Sequence, residues 1–158
     1  NISLAQIRRQ GTTSYTLVMA DEVSKQRSFY QCRGANADFC EADIDWDRLD
    51  VDMLHIGYIL LLDALDAPDG EYGTKMARLL AEARRRGLKT SIDVVTETGD
   101  RFQTLVPPAL RYTDYCVINE LEAQRALRPH RHAGAALHRL LRDQRSRGAG
   151  HHRRAPDR

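Results

Sequence analysis

The sequence predicts an α/β domain built on a parallel sheet. Three observations carry that expectation. From residue 51 onward, short apolar runs alternate with amphipathic stretches in the order strand, helix, strand, helix, strand, helix. Such alternation gives a parallel sheet with helices packed on it. The chain has 158 residues, 42% hydrophobic and 29% charged, which suits one soluble globular domain. Its three cysteines, Cys32, Cys40 and Cys116, form no CxxC pair and no zinc-ligand spacing. An odd number of unpatterned thiols points to a reduced, cytoplasmic protein.

The elements follow in order. "TSYTLVMADEVSKQRSFYQCR" (13–33) reads as a β-hairpin around the polar turn "DEVSKQ", with one partly polar face. "RGANADF" follows as a glycine-containing bend, and "DIDWDRLDVDM" (43–53) as a short helix or turn. "MLHIGYILLL" (53–62) is a strand interrupted by Gly57, and "DALDAPDG" (63–70) a loop. "EYGTKMARLLAEARRRG" (71–87) is the clearest helix: Met76, Leu79, Leu80 and Ala83 share one face, and Gly87 ends it. "LKTSIDVV" (88–95) is a strand with a polar exit at Asp93. "RFQTLVPPALRY" (101–112) is expected to be a short helix interrupted at Pro107-Pro108. "DYCVI" (114–118) is a strand, and "NELEAQRAL" (119–127) a helix.

Charge divides the chain in two. Residues 128–158 hold nine Arg against Asp143 and Asp157, leaving residues 1–127 with fifteen basic and twenty acidic residues. The organisation expected is a body over 1–127 and a basic Arg/His-rich tail over 128–158. Within the tail "AALHRLL" is one helical patch, and the rest lacks periodicity and reads as disordered. The longest apolar run, 53–65, carries His55 and Asp63 and is too short to span a bilayer. No membrane association is expected. "GEYGTK" (70–75) lacks the spacing of a phosphate-binding P-loop.

Three places hold candidate chemistry. In "NELE", Asn119 is a favoured N-cap and Glu122, three residues on, completes a capping box. The same geometry suits phosphate at a helix N-terminus, and a carboxylate that orients water around Mg²⁺. Asp93 ends a strand, where ligands of parallel sheets bind, although a solvated strand exit explains it equally. In "RGAN", Gly34 either makes a plain turn or lets Asn36 approach a hydroxylated ligand.

Several stretches together resemble the middle of a ribokinase-like (PfkB) carbohydrate kinase. They are "QRSFYQCRGANADF", "HIGYILLLD", "LLAEARRRGLKTSIDVV" and "PPALRYTDYCVINELEA", in that order, within residues 12–127. The resemblance implies a three-layer α/β sandwich with a small β-sheet lid at 13–33. It implies transfer of the ATP γ-phosphoryl group to a sugar or sugar-acid hydroxyl with Mg²⁺. Gly34, Ala35, Asn36 and Asp93 are then substrate-binding. Asn119 and Glu122 match the family's NxxE motif, which handles ATP phosphate and Mg²⁺, the metal through water. A homodimer through the lid is a further implication.

The departures are specific. No early glycine-rich sugar segment and no GAGD motif occur among the 158 residues; the "GAG" at 148–150 is followed by His151. "DVVTE" stands where many relatives have DxNxR, with Arg101 as a stand-in for the basic residue. A partial chain without the catalytic aspartate, inactive by itself, is therefore expected. The alternative reading is a non-catalytic α/β module that binds a small ligand, its basic tail contacting nucleic acid or acidic partners. Tail contact with nucleic acid is the less favoured use of those arginines than plain solvation.

Overall fold

The computed structural model describes residues 6–95 and 99–127. The expectations for Glu97 and for residues 128–158 lie outside the described residues.

The chain opens with an antiparallel hairpin, β1 (Tyr15–Ala20) and β2 (Arg27–Cys32). Asp21 closes its turn by accepting from the Val23 and Ser24 N–H groups at 3.1 and 2.6 Å. The hairpin forms a two-stranded sheet of its own. Its apolar side chains are exposed on both faces, where the alternation predicts one partly polar face. Three short 3-10 segments follow, Gly34–Asp38, Glu41–Asp43 and Trp46–Arg48, where the sequence predicts a glycine-containing bend and then a short helix or turn. They pack Phe39, Ile44 and Trp46 against the core.

The main sheet has three parallel strands in the order β3 (Met53–Ile59), β6 (Lys89–Val94), β7 (Tyr115–Val117). The register between β3 and β6 slips between Ile56 and Ile59, at the glycine that interrupts the strand. Between β3 and β6 the chain makes α1 (Asp63–Asp66) and a two-residue ribbon, β4 (Pro68–Asp69) with β5 (Gly73–Thr74). The sequence reads this region as loop and helix start. Helix α2 (Lys75–Arg85) therefore begins later than its pattern predicts. Pairing in the ribbon holds Gly73 at φ +87°, outside the helix. Thr74 then serves as N-cap, accepting from the Ala77 N–H at 3.1 Å. At the other end Gly87, also at φ +87°, lets the Leu88 N–H reach the Ala83 carbonyl at 3.0 Å.

Helix α3 (Arg101–Leu110) runs through Pro107 and Pro108 without the expected interruption. Each proline removes one N–H donor. Phe102, Leu105, Val106, Ala109 and Leu110 are all buried, and their packing holds the helix across the missing bonds. The entry to β7 is fixed by a small polar knot. Thr90 donates from its N–H to the Asp114 carboxylate at 3.0 Å and from its hydroxyl to the Tyr112 carbonyl at 2.6 Å. Helix α4 (Glu120–Leu127) follows β7 directly.

One core joins these pieces. Ile56 and Ile59 of β3, Ile92 and Val94 of β6, the predicted α2 face, and the α3 face pack together. Full burial of each large side chain contributes about 1.5–3 kcal/mol. The helices of this core lie on one face of the sheet. No helix among the described residues is long and apolar enough to cross a membrane.

Candidate functional site

The carboxyl ends of β6 and β7 bring two of the expected groups together. Asp93 pairs in register with Val117, and Asn119 follows two residues later. Asn119 and Glu122 close a reciprocal box. The Glu122 N–H donates to Asn119 Oδ1 at 2.9 Å, and the Asn119 N–H donates to Glu122 Oε2 at 3.0 Å. Asn119 is exposed, and Glu122 is buried to 4% exposure. The capping box therefore exists as the spacing predicts.

Asp93 sits in a harder environment. Its Oδ1 is buried with no hydrogen-bond partner among the described residues. Burial pushes its carboxyl above the ordinary aspartate range, His55 pulls it back, and the Glu122 carboxylate pushes it up again. That coupling places Asp93 and Glu122 in one electrostatic neighbourhood. Cys116 reports the same neighbourhood: burial first, then the two carboxylates, push its thiol up to about 12. The thiol stays protonated at neutral pH and is a packing group rather than a nucleophile.

Two residues that sequence reading passed over support Asp93. Gly57 lies against it: a Cβ at position 57 would come within 2.6 Å of Asp93 Oδ1 and 3.4 Å of His55 Nε2. His55 Nδ1 shares a hydrogen bond of 3.0 Å with the Ser91 hydroxyl, which fixes the ring beside the carboxylate. The one signal in the sequence was a histidine and a glycine inside an otherwise apolar strand.

Gly34, Ala35 and Asn36 lie elsewhere in the contact pattern. They form the first turn after the hairpin, and Gly34 has φ +49°. A Cβ there would meet the Thr12 carbonyl at 2.3 Å, so the glycine serves a close backbone crossing. The Ala35 N–H donates to Thr12 O at 2.8 Å. Asn36 is exposed. Arg33 pairs with Asp63, tying the hairpin root to α1. Among the described residues no hydrogen bond joins this turn to Asp93 or Asn119.

Arg101 is tied into a different constellation. It pairs with the buried Asp66 at 3.2 Å and donates to the Leu60 carbonyl at 3.5 Å. The Leu60 N–H donates to the same aspartate at 3.3 Å. Burial raises the Asp66 carboxyl, and the Leu60 N–H and Arg101 oppose the rise. Asp66 and Arg101, with Asp63, Asp100 and Thr104, line a cavity of about 350 Å³.

Whether the NxxE pair suits Mg²⁺ depends on its donors. Among the described residues no group of three or more His, Cys, Asp or Glu could hold a metal ion directly. Mg²⁺ keeps several waters and takes one or two carboxylates. Glu122 would be the one carboxylate of the pair in such a shell; one of its oxygens accepts from the Asn119 N–H, and the residue is 4% exposed.

No family model, curated protein or solved structure matches the chain.

Proposed function

We propose that residues 12–127 are the central part of a ribokinase-like carbohydrate kinase domain. The complete domain would be a three-layer sandwich that transfers the ATP γ-phosphoryl group to a sugar or sugar-acid hydroxyl. The observation that supports this most is the Asn119–Glu122 box at the carboxyl end of β7, beside Asp93, whose Oδ1 is buried, at the end of the neighbouring strand. Parallel sheets bind ligands at that edge.

In this reading Asn119 orients ATP phosphate at the N-terminus of α4, where backbone N–H groups favour an anion. Glu122 holds water of the Mg²⁺ shell, and the bound ion would neutralise charge on the transferring phosphoryl group. Asp93, together with Gly34, Ala35 and Asn36 at the base of the lid, contacts the sugar. The lid pairs two subunits. No aspartate in a GAGD motif is present in the sequence to accept the hydroxyl proton.

Calorimetric titration tests the reading. ATP with Mg²⁺ is expected to bind weakly, and Asn119→Asp to weaken that binding by placing a second negative charge beside phosphate. ATP binding indifferent to both Mg²⁺ and this substitution would refute it. A coupled assay with a panel of sugars is expected to show no turnover by these 158 residues.

A further inference from the structure

His55 is the one histidine before residue 128, and it stands exposed on β3. An exposed ring is ordinarily free to turn, but this one is held. Its Nδ1 shares a hydrogen bond of 3.0 Å with the hydroxyl of Ser91, itself buried on β6. Nε2 is left on the side of Gly57 and Asp93. A Cβ built on Gly57 would lie 3.4 Å from Nε2 and 2.6 Å from Asp93 Oδ1. The two side chains therefore flank one bare stretch of backbone, and Gly57 is exposed. Glycine is the residue that lets a ligand approach a main chain closely.

The chemistry of the pair is complementary. With a carboxylate on the Nε2 side, the neutral tautomer that carries its proton on Nε2 is favoured, because a bare nitrogen lone pair would face negative charge. Ser91 then donates to Nδ1. Asp93 is half-buried, and its Oδ1 is turned into the space the glycine leaves, with no hydrogen-bond partner among the described residues. Burial raises its carboxyl, and His55 opposes the rise. A fixed N–H donor thus stands beside an acceptor that lacks a donor. A hydroxyl group satisfies both at once, accepting from Nε2–H and donating to the carboxylate once that turns outward. A ligand carboxylate in the same place would be repelled by Asp93 and by the nearby Glu122.

We propose that His55 is a ligand-contacting residue of the candidate site. With Asp93 it reads a sugar hydroxyl over Gly57, and Ser91 is the residue that positions the ring. Assigning that hydroxyl to a sugar rests on the kinase reading; the donor and acceptor beside Gly57 do not.

Nitrogen NMR of the histidine rings in the full chain tests it. The His55 signals are those that His55→Gln removes. The ring is expected to carry its proton on Nε2, and Ser91→Ala to mix the two tautomers. The sample is then titrated with D-ribose, D-fructose and D-glucose, and separately with ATP and Mg²⁺, with affinities measured by calorimetry. At least one sugar is expected to bind and to shift the His55 Nε2–H signal. His55→Phe is expected to weaken that sugar about tenfold, as loss of one hydrogen bond does, while His55→Gln, which keeps an N–H donor, stays within about threefold. A sugar that binds without moving the ring signal overturns the proposal, and so does a proton found on Nδ1. If ATP with Mg²⁺ binds and none of the sugars does, the proposal fails and the kinase reading stands. If neither binds, both fail.

Discussion

Asn119 illustrates how one residue can be legible in one role and silent in another. Its spacing to Glu122 predicts a capping box, and the box is there at 2.9 and 3.0 Å. The same bonds serve any helix start, so the spacing alone carries no ligand. Substitution separates the roles. Asn119→Ala is expected to cost about 1 kcal/mol of stability by losing the cap, whereas Asn119→Asp keeps it. Chemical denaturation measures both. Asp93 was legible as a strand exit, but its lack of a partner was not, because that depends on Gly57 across the sheet. Burial raises its folded-state pKa, so the folded chain holds this proton more tightly than the unfolded one. Its contribution to stability is therefore present below the ordinary carboxylate value of about 4 and is lost as pH rises through the raised value. Asp93→Asn is expected to melt higher than the parent at pH 7, with the gap closing toward pH 3. An unchanged gap across that range would show that the carboxylate is not the cause.

Elements were legible where periodicity was strong and illegible where pairing between segments decided. The α2 face of Met76, Leu79, Leu80 and Ala83 is buried as its spacing predicts. Its start was misplaced because the β4–β5 ribbon, only two residues on each side, leaves no pattern in the sequence. Helix α3 shows the reverse error: two prolines are a strong local signal, and five buried side chains override it. Thr74 tests the corrected boundary. Thr74→Ala is expected to lose about 1 kcal/mol, and Thr74→Ser to lose little, since only the hydroxyl caps the Ala77 N–H. If helix α2 began at residue 71, neither change would matter to its N-terminus.

At the scale of the whole molecule, the hairpin is the least self-sufficient part. Tyr15, Leu17, Met19 and Tyr30 on one side, and Val18 and Phe29 on the other, are 50–63% exposed. A lone two-stranded hairpin is marginal in water, so burial against a second hairpin would stabilise both. Leu17→Lys with Phe29→Lys is expected to shift any dimer to monomer in analytical ultracentrifugation, leaving the core melting transition in place. An unaltered association constant would exclude the hairpin as the contact. The parallel α/β order was readable from residue 51 onward because each crossover is local in sequence. The sheet face that is open at Met53, His55 and Val117 among the described residues was not, since no single segment encodes it. Gly57 and Asp93 carry a last consequence of that long-range architecture. They sit on different strands and share one small volume, in which the glycine's missing methyl is the carboxylate's space. A chimera joined anywhere between them inherits one half of the bargain. Swapping β3 for a strand with alanine at this position would force the Asp93 carboxylate to shift, so the two strands are best transplanted as a unit.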